Sequence, residues 1–229
     1  IKGVTYMLNG KKIVITSGGT LEKWDNVRGH TNLSKGIMGT YLAEAALEAG
    51  ADVIYMHGYF DQKPNAHERL TFVGFEGIED LGNKLQEILT SKKIDIVIMA
   101  VAGSDWVIDK VFDQQGNEMK EKGKMPSDEP PIIHFKKAPK VIAQVKTWAP
   151  NVTLVGFKLE ATEDINELLG RAKIRMESSD ATYMVANSSK SLYGSGEPHF
   201  ILRKDGSFVQ TDGKQETAKQ LIKLLKEEQ

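Results

Sequence analysis

The chain of 229 residues contains no cysteine. Disulfides, thiolate metal sites and a cysteine nucleophile are therefore excluded. No apolar run approaches the ~20 residues that a membrane span needs, and the N-terminus lacks the apolar core of a signal peptide. The cytoplasm is the expected location. Because the chain opens on Ile1 rather than Met, a few preceding residues are expected. Neither sign of charge dominates: 30 Lys and Arg stand against 31 Asp and Glu, for a net charge of −1. A chain-wide basic field is absent, so no nucleic-acid or membrane partner is expected, and any anion site must be local. The five histidines (His30, His57, His67, His134, His199) show no metal-ligand spacing.

What is present is an ordinary globular composition, 40% hydrophobic and 27% charged. That suffices for one core, and a single domain over residues 1–229 is expected. Strand-like and helix-like runs alternate. Strands are predicted over 12–16, 52–57, 70–75, 94–101, 132–135, 152–157 and 182–186. Helices are predicted over 37–49, 78–90, 139–147, 165–176 and 214–226. A hairpin joins 200–203 to 207–211, so hairpin and last helix fill about 198–226. Repeated β–α alternation predicts an α/β fold: a doubly wound, mostly parallel, Rossmann-like sheet with helices on both faces. The polar stretch of about 103–131 is too long for an idle connection and reads as a flexible arm or lid.

The richest segment is Ile13 to Gly39. An apolar, β-branched strand ends in Ser17, Gly18, Gly19 and Thr20. A polar loop then carries Arg28, Asn32, Ser34 and Lys35, and Gly36 and Gly39 open an amphipathic helix. Backbone N–H groups approach a ligand closely where no Cβ intervenes, and a helix start favours negative charge. The strand-end segments 17–39, 102–105 and 156–158 should converge on one crevice beyond the sheet's carboxyl edge.

Each motif also has a plainer reading. The glycines could serve turns alone, and Ser104 or Asp105 could simply cap a turn. Lys124 between turn-formers and the cluster Lys136, Lys137 and Lys140 could be solvated charge. Yet lysines at a helix start oppose its dipole, which makes better sense beside an anion. Phe157 could be core or could stack on a base. A nicotinamide-dependent oxidoreductase is the competing enzyme reading, and a non-catalytic nucleotide-binding module is a third. The oxidoreductase is weakened because neither G-x-G-x-x-G nor a P-loop pattern occurs. In addition, the second strand ends His57-Gly58-Tyr59 without a ribose-binding carboxylate, and the pair Tyr59 and Lys63 comes too early for reductase chemistry.

Eight ordered marks resemble the phosphopantothenate–cysteine ligases (phosphopantothenoylcysteine synthetases), in the single-function form without the flavin decarboxylase domain. They are Ile15 to Thr20, Asp25 with Val27 and Arg28, Thr31 to Gly39, Ser104 to Trp106, Gly123 to Met125, Phe135 to Lys140, Val155 to Phe157, and Val185 to Asn187. The resemblance implies that CTP or ATP, with Mg²⁺ and without flavin or NAD, activates 4′-phosphopantothenate as an acyl-nucleotidylate. L-cysteine then captures the acyl group. By the same resemblance, Gly18, Gly19, Ser34, Gly36 and Met38 border the nucleotide. Asn32 binds the acyl group, and Arg28 reaches the phosphate of phosphopantothenate from a neighbouring subunit, which implies a homodimer. Ala102 and Asp105 contact pantothenate or ribose, and Lys124 closes over the triphosphate. Lys136, Lys137, Ala138, Pro139, Lys140, Phe157 and Lys173 surround the nucleotide. Four departures stand out. Val101 and Gly103 replace the usual alanine and valine, and Met125-Pro126-Ser127 replaces a more basic run. Glu177 stands near where a second lysine would follow Lys173, so no phosphate contact is assigned there. Ser188 replaces a frequent aspartate.

Overall fold

The computed structural model describes residues 8–120 and 123–228. The expected single domain is thus described except at 1–7, 121–122 and 229, and the expected arm except at 121 and 122.

In chain order the first elements are β1 (Lys12–Ser17), β2 (Leu21–Lys23), β3 (Gly29–Thr31), α1 (Ile37–Glu48), β4 (Asp52–His57) and β5 (Leu70–Gly74). Next come α2 (Ile78–Ser91), β6 (Ile96–Met99), β7 (Trp106–Phe112), β8 (Ile132–Lys137) and α3 (Val145–Trp148). The chain continues through β9 (Thr153–Glu160), α4 (Ile165–Ser179), β10 (Tyr183–Ser188), β11 (Pro198–Arg203), β12 (Phe208–Asp212) and α5 (Lys214–Glu227). The main sheet has eight strands in the order β12-β11-β10-β9-β6-β1-β4-β5. From β5 to β10 all neighbours run parallel, and β11 and β12 add an antiparallel hairpin.

Helices cover both faces, as the near-continuous burial of β1 and β6 requires. Ile13, Ile15, Tyr55, Ile96 and Ile98 share one core with Leu42 and Ala46 of α1 and with Leu221 and Leu225 of α5. Val14, Val97, Leu154 and Met184 share the other with Leu81 and Leu85 of α2, Val145 of α3 and Met176 of α4. The alternation along β1 sends successive side chains to opposite layers. The expected mostly parallel, doubly wound sheet with its C-terminal hairpin is what forms. The strand order reverses between β1 and β6, so the crevice lies over their carboxyl ends.

Three expectations need correction. The stretch 103–131 is not one long loop, because β7 occupies Trp106–Phe112 and pairs antiparallel with β8. Strand β8, read as part of the main sheet, belongs to this separate ribbon. The helix expected over 139–147 is a 3-10 turn, Val141–Gln144, followed by the single turn of α3. β-Branched Val141 and Ile142 after Pro139 favour neither a long helix nor a capped start.

Candidate active site

Strand β1 ends at Ser17, and Gly18 adopts φ +78°, a left-handed conformation that suits glycine. The chain then crosses to β6's exit, where Ala102 N–H donates to Gly18 O at 2.7 Å and Gly19 bridges Ala102. Two hydroxyls lock this seam, Thr20 Oγ1 and Ser104 Oγ lying 2.8 Å apart. Asn32 Nδ2 donates to Ala102 O at 2.7 Å, which ties the polar loop to the same strand end. Helix α1 starts behind Gly36, itself at φ +76°, and no side chain caps it. Its first amides are therefore open to an anion.

A cavity of about 290 Å³ opens beside this seam. Ser34, Met38, Ala102, Asp105, Pro139, Lys140 and Phe157, all expected at the site, line it. Five cations (Lys35, Lys140, Lys158, Arg175, Lys214) and one carboxylate, Asp105, border it. In a protein of net charge −1, this is a local positive field that attracts anions. Lys140 Nζ pairs with Asp105, and Ala138 N–H donates to Asp105 O at 2.9 Å. A neighbouring hollow holds Gly19, Asn32, Ser34 and Asp61, and Ser34 belongs to both spaces.

Other expected residues sit elsewhere. Lys136 is on β8, 3.5 Å from Asp109, and Lys137 stands opposite Trp106 on the ribbon. Lys173 is exposed on α4, outside the cavity lining. Arg28 does not face the cavity of its own chain. Its Nε and Nη2 meet Asp25 Oδ2 at 3.0 and 2.9 Å, and Nη2 donates to Met125 O at 2.5 Å. Asp25, with its side chain 1% exposed, also accepts from the N–H groups of Val27, Arg28 and Met125 at 2.8, 2.7 and 2.9 Å. Burial alone would raise this carboxyl. The backbone donors and the guanidinium outweigh burial and hold its pKa at about 2, against an ordinary 3.8. The contribution of this clasp is present above 3.8 and is lost only as pH falls toward 2. The segment bearing exposed Lys124 is thus docked through buried Met125 onto the β2–β3 hairpin. His30 of that hairpin also meets Phe135 of the ribbon edge-on, with ring centroids 5.1 Å apart.

Asp61 had no sequence signal. Strand β4 lacks a carboxylate at its end, but four residues on, Asp61 lies over Gly18, where a Cβ would come within 1.6 Å of its carboxylate. It accepts from Gly58 N–H at 2.6 Å. Burial, only partly offset by the Gly58 and Gly19 amides, raises its pKa to about 6 from 3.8. Between those values the folded chain holds more protons than the unfolded one, so stability falls as pH rises through that window. Melting curves across pH 4 to 7 should show this decline in the wild type and a flatter profile in Asp61→Asn. An equal decline in both would contradict the assignment. Lys214, Asn187 and His199 also line the cavity. Only Asn187 lay within an expected motif.

A family described as "DNA/pantothenate metabolism flavoprotein C-terminal domain" matches residues 8–228. The chain belongs to this family. Among similar proteins, the coenzyme A biosynthesis bifunctional protein CoaBC of Thermococcus kodakarensis is 33% identical over 195 residues, covering 85% of this chain and 45% of that protein. The chain spans about half the length, or less, of the curated relatives it matches. A crystal structure of the DNA/pantothenate metabolism flavoprotein from Streptococcus pneumoniae superposes with a TM-score of 0.86 at 27% identity, over 96% of this chain and all of that one. A Cab2 mutant in complex with phosphopantothenate-cysteine shares the fold, with a TM-score of 0.73 at 19% identity over 95% and 87% of the two chains. Against this family background, the Rossmann-like strand order does not carry a dinucleotide loop, because Asp61 fills the space over Gly18.

Proposed function

We propose that this chain is a phosphopantothenate–cysteine ligase, joining 4′-phosphopantothenate to L-cysteine at the expense of CTP or ATP. The observation that carries the reading is one cavity, bordered by five cations, at the open start of α1 and the carboxyl edge of β6. A carboxylate resists attack by an amine until it is activated, and activation gathers several anions that only cations and backbone donors can hold. The family membership and the relatives named for coenzyme A biosynthesis support the same chemistry.

In this reading the amides of Ile37 and Met38 receive phosphate oxygens, and Lys140 exchanges its Asp105 partner for the nucleotide. Phe157 lies against the base, with Ala138 and Pro139 beside it. Asn32, fixed on Ala102, holds the acyl oxygen. Mg²⁺ keeps several waters and takes one or two carboxylates plus substrate phosphates. Asp105 is the cavity carboxylate suited to it, and among the described residues no cluster of three or more His, Asp or Glu side chains competes. The ion would offset charge on the phosphates. Gly18, Gly19 and Gly36 shape the turn around them. Lys136, Lys137 and Lys173 lie off the cavity, and in this reading they contribute long-range positive charge.

Arg28 would serve a neighbouring subunit's phosphopantothenate, and the exposed apolar side chains Val27 and Leu33 beside the hairpin suit a homodimer face. Because Met125 docks on the Arg28 hairpin, Lys124 travels with Arg28. Lys124→Gln should slow turnover about tenfold or more with the melting temperature unchanged, since this side chain is exposed. Unfolding of the variant would contradict the lid role.

The decisive assay is pyrophosphate release with triphosphate and 4′-phosphopantothenate in the absence of cysteine. Release that requires both reactants supports the ligase. Binding of NADH without any release of pyrophosphate would favour the oxidoreductase.

A further inference from the structure

Two spaces meet at Asn32, and they differ in charge. Five cations and one carboxylate border the cavity, a balance suited to polyanions. The neighbouring hollow, of about 420 Å³, has one charge of each sign, Lys35 and Asp61. That pairing matches a zwitterion and gives a phosphate dianion little net attraction. Asn32 lines the hollow, while its amide donates at 2.7 Å to Ala102 O of the cavity wall. An acyl group held by Asn32 therefore lies on the border, with the nucleotide on the cavity side. An attacking amine has to approach from a side that the leaving nucleotide does not cover, and the hollow supplies one.

Asp61 is fixed beside that border. Its Oδ2 accepts from Gly58 N–H at 2.6 Å, and the Gly19 amide bonds the same carboxylate. Gly19 in turn abuts Asn32, since a Cβ on it would come within 2.9 Å of Asn32 O. The next residue is pinned: Gln62 N–H donates to Lys35 O at 2.9 Å, and Tyr55 Oη donates to Gln62 O at 3.3 Å. A carboxylate offers about four lone-pair sites, so two amides leave acceptor capacity for a ligand. Lys63 and the Tyr55 phenol are the ionisable groups coupled to Asp61, and burial leads in lifting its carboxyl to about 6. Such a group is mostly ionised at pH 7, yet it takes up a proton more readily than an ordinary carboxylate. Phe60, 67% exposed, adds an apolar wall to the hollow.

We infer that the Asn32–Lys35–Asp61 hollow is the amino-acid subsite, in which the Asp61 carboxylate receives the cysteine ammonium and takes the proton it must lose. This rests on the ligase reading above. Lys35 faces the amino acid's carboxylate, and Phe60 gives the thiol an apolar surface. Transfer of one ammonium proton to Asp61 leaves a neutral amine. The amine lone pair forms the C–N bond to the acyl carbon, and the bond from that carbon to the phosphate oxygen breaks. The nucleoside monophosphate departs with the electron pair. The second excess amine proton leaves to solvent, as does the proton on Asp61.

The two half-reactions separate this role from a structural one. Exchange of labelled pyrophosphate into triphosphate, with 4′-phosphopantothenate and no cysteine, reports the first. Single-turnover amide formation after adding L-cysteine reports the second. In Asp61→Asn, exchange should stay within about twofold, while amide formation at pH 7 should fall about a hundredfold, the usual scale for losing a general base. The deficit should shrink as pH rises, because more cysteine then arrives already as the free amine. Phe60→Ala, at an exposed position, should raise the KM for L-cysteine several-fold and leave that for 4′-phosphopantothenate unchanged. Unchanged amide formation in Asp61→Asn, equal loss of both half-reactions, or a deficit of the same size at every pH would overturn the role of Asp61. A rise in the KM for 4′-phosphopantothenate in place of that for L-cysteine would assign the hollow to the other reactant and overturn the subsite. Absence of pyrophosphate exchange in the wild type would instead overturn the ligase reading.

Discussion

Asn32→Asp should lower turnover about a hundredfold or more, the scale for losing a preorganised donor, while triphosphate affinity stays within severalfold. The amide of Asn32 donates to Ala102 O at 2.7 Å. A carboxylate there presents lone pairs to that carbonyl at the same distance, so the side chain must turn away. It also adds negative charge where an anionic intermediate would form. In the proposed reading triphosphate binding rests on the α1 amides and Lys140, which the change leaves in place. Calorimetric titration with triphosphate, set beside steady-state rates, checks both halves. A variant that turned over normally would remove Asn32 from the chemistry.

The second large effect is expected at Asp25. Its carboxylate accepts from three backbone N–H groups and the Arg28 guanidinium. Asp25→Ala leaves Met125 N–H without its acceptor and leaves the guanidinium held only by its bond to Met125 O. The segment 123–125 would then leave the hairpin, and both candidate cations, Arg28 and Lys124, would lose their placement. Misplacing a positioned group by an ångström costs about a hundredfold, so kcat should fall by about that factor. Melting should drop by several degrees, and cleavage near Lys124 by trypsin should quicken. Asp25→Asn keeps the shape and part of the acceptor capacity, and it should sit between wild type and Asp25→Ala. A fully active Asp25→Ala would mean that the clasp serves no catalytic purpose.

The sequence carried the centre of the main sheet because β1, β6 and β10 are buried on both faces and therefore read as nearly unbroken apolar runs. The expected boundaries at 52–57 match β4 in the structure. Strands β2 and β3 escaped notice because each has three residues and a mixed burial pattern. No alternation can be seen over so short a span. Ribbon strand β7 was hidden by charge: Asp109 and Lys110 interrupt it, and the pairing has a register shift between Ile108 and Lys110. The cavity residues Ser34, Met38, Asp105, Lys140 and Phe157 were legible because strand ends and helix starts converge at a switch point. Asp61 was not legible, since its role comes from a loop folding back over Gly18, a contact between distant parts of the chain that composition does not announce. His199 sits in an apolar strand, where a histidine looks like core, and only its unpaired nitrogen sets it apart.

The most direct test is a crystal of this protein soaked with a non-hydrolysable triphosphate and 4′-phosphopantothenate. Phosphate oxygens should sit on the amides of Ile37 and Met38 with Lys140 beside them, and the acyl carboxylate should lie within hydrogen-bond reach of Asn32. Nucleotide bound over Gly18 with Asp61 expelled, or bound away from the start of α1, would contradict the account.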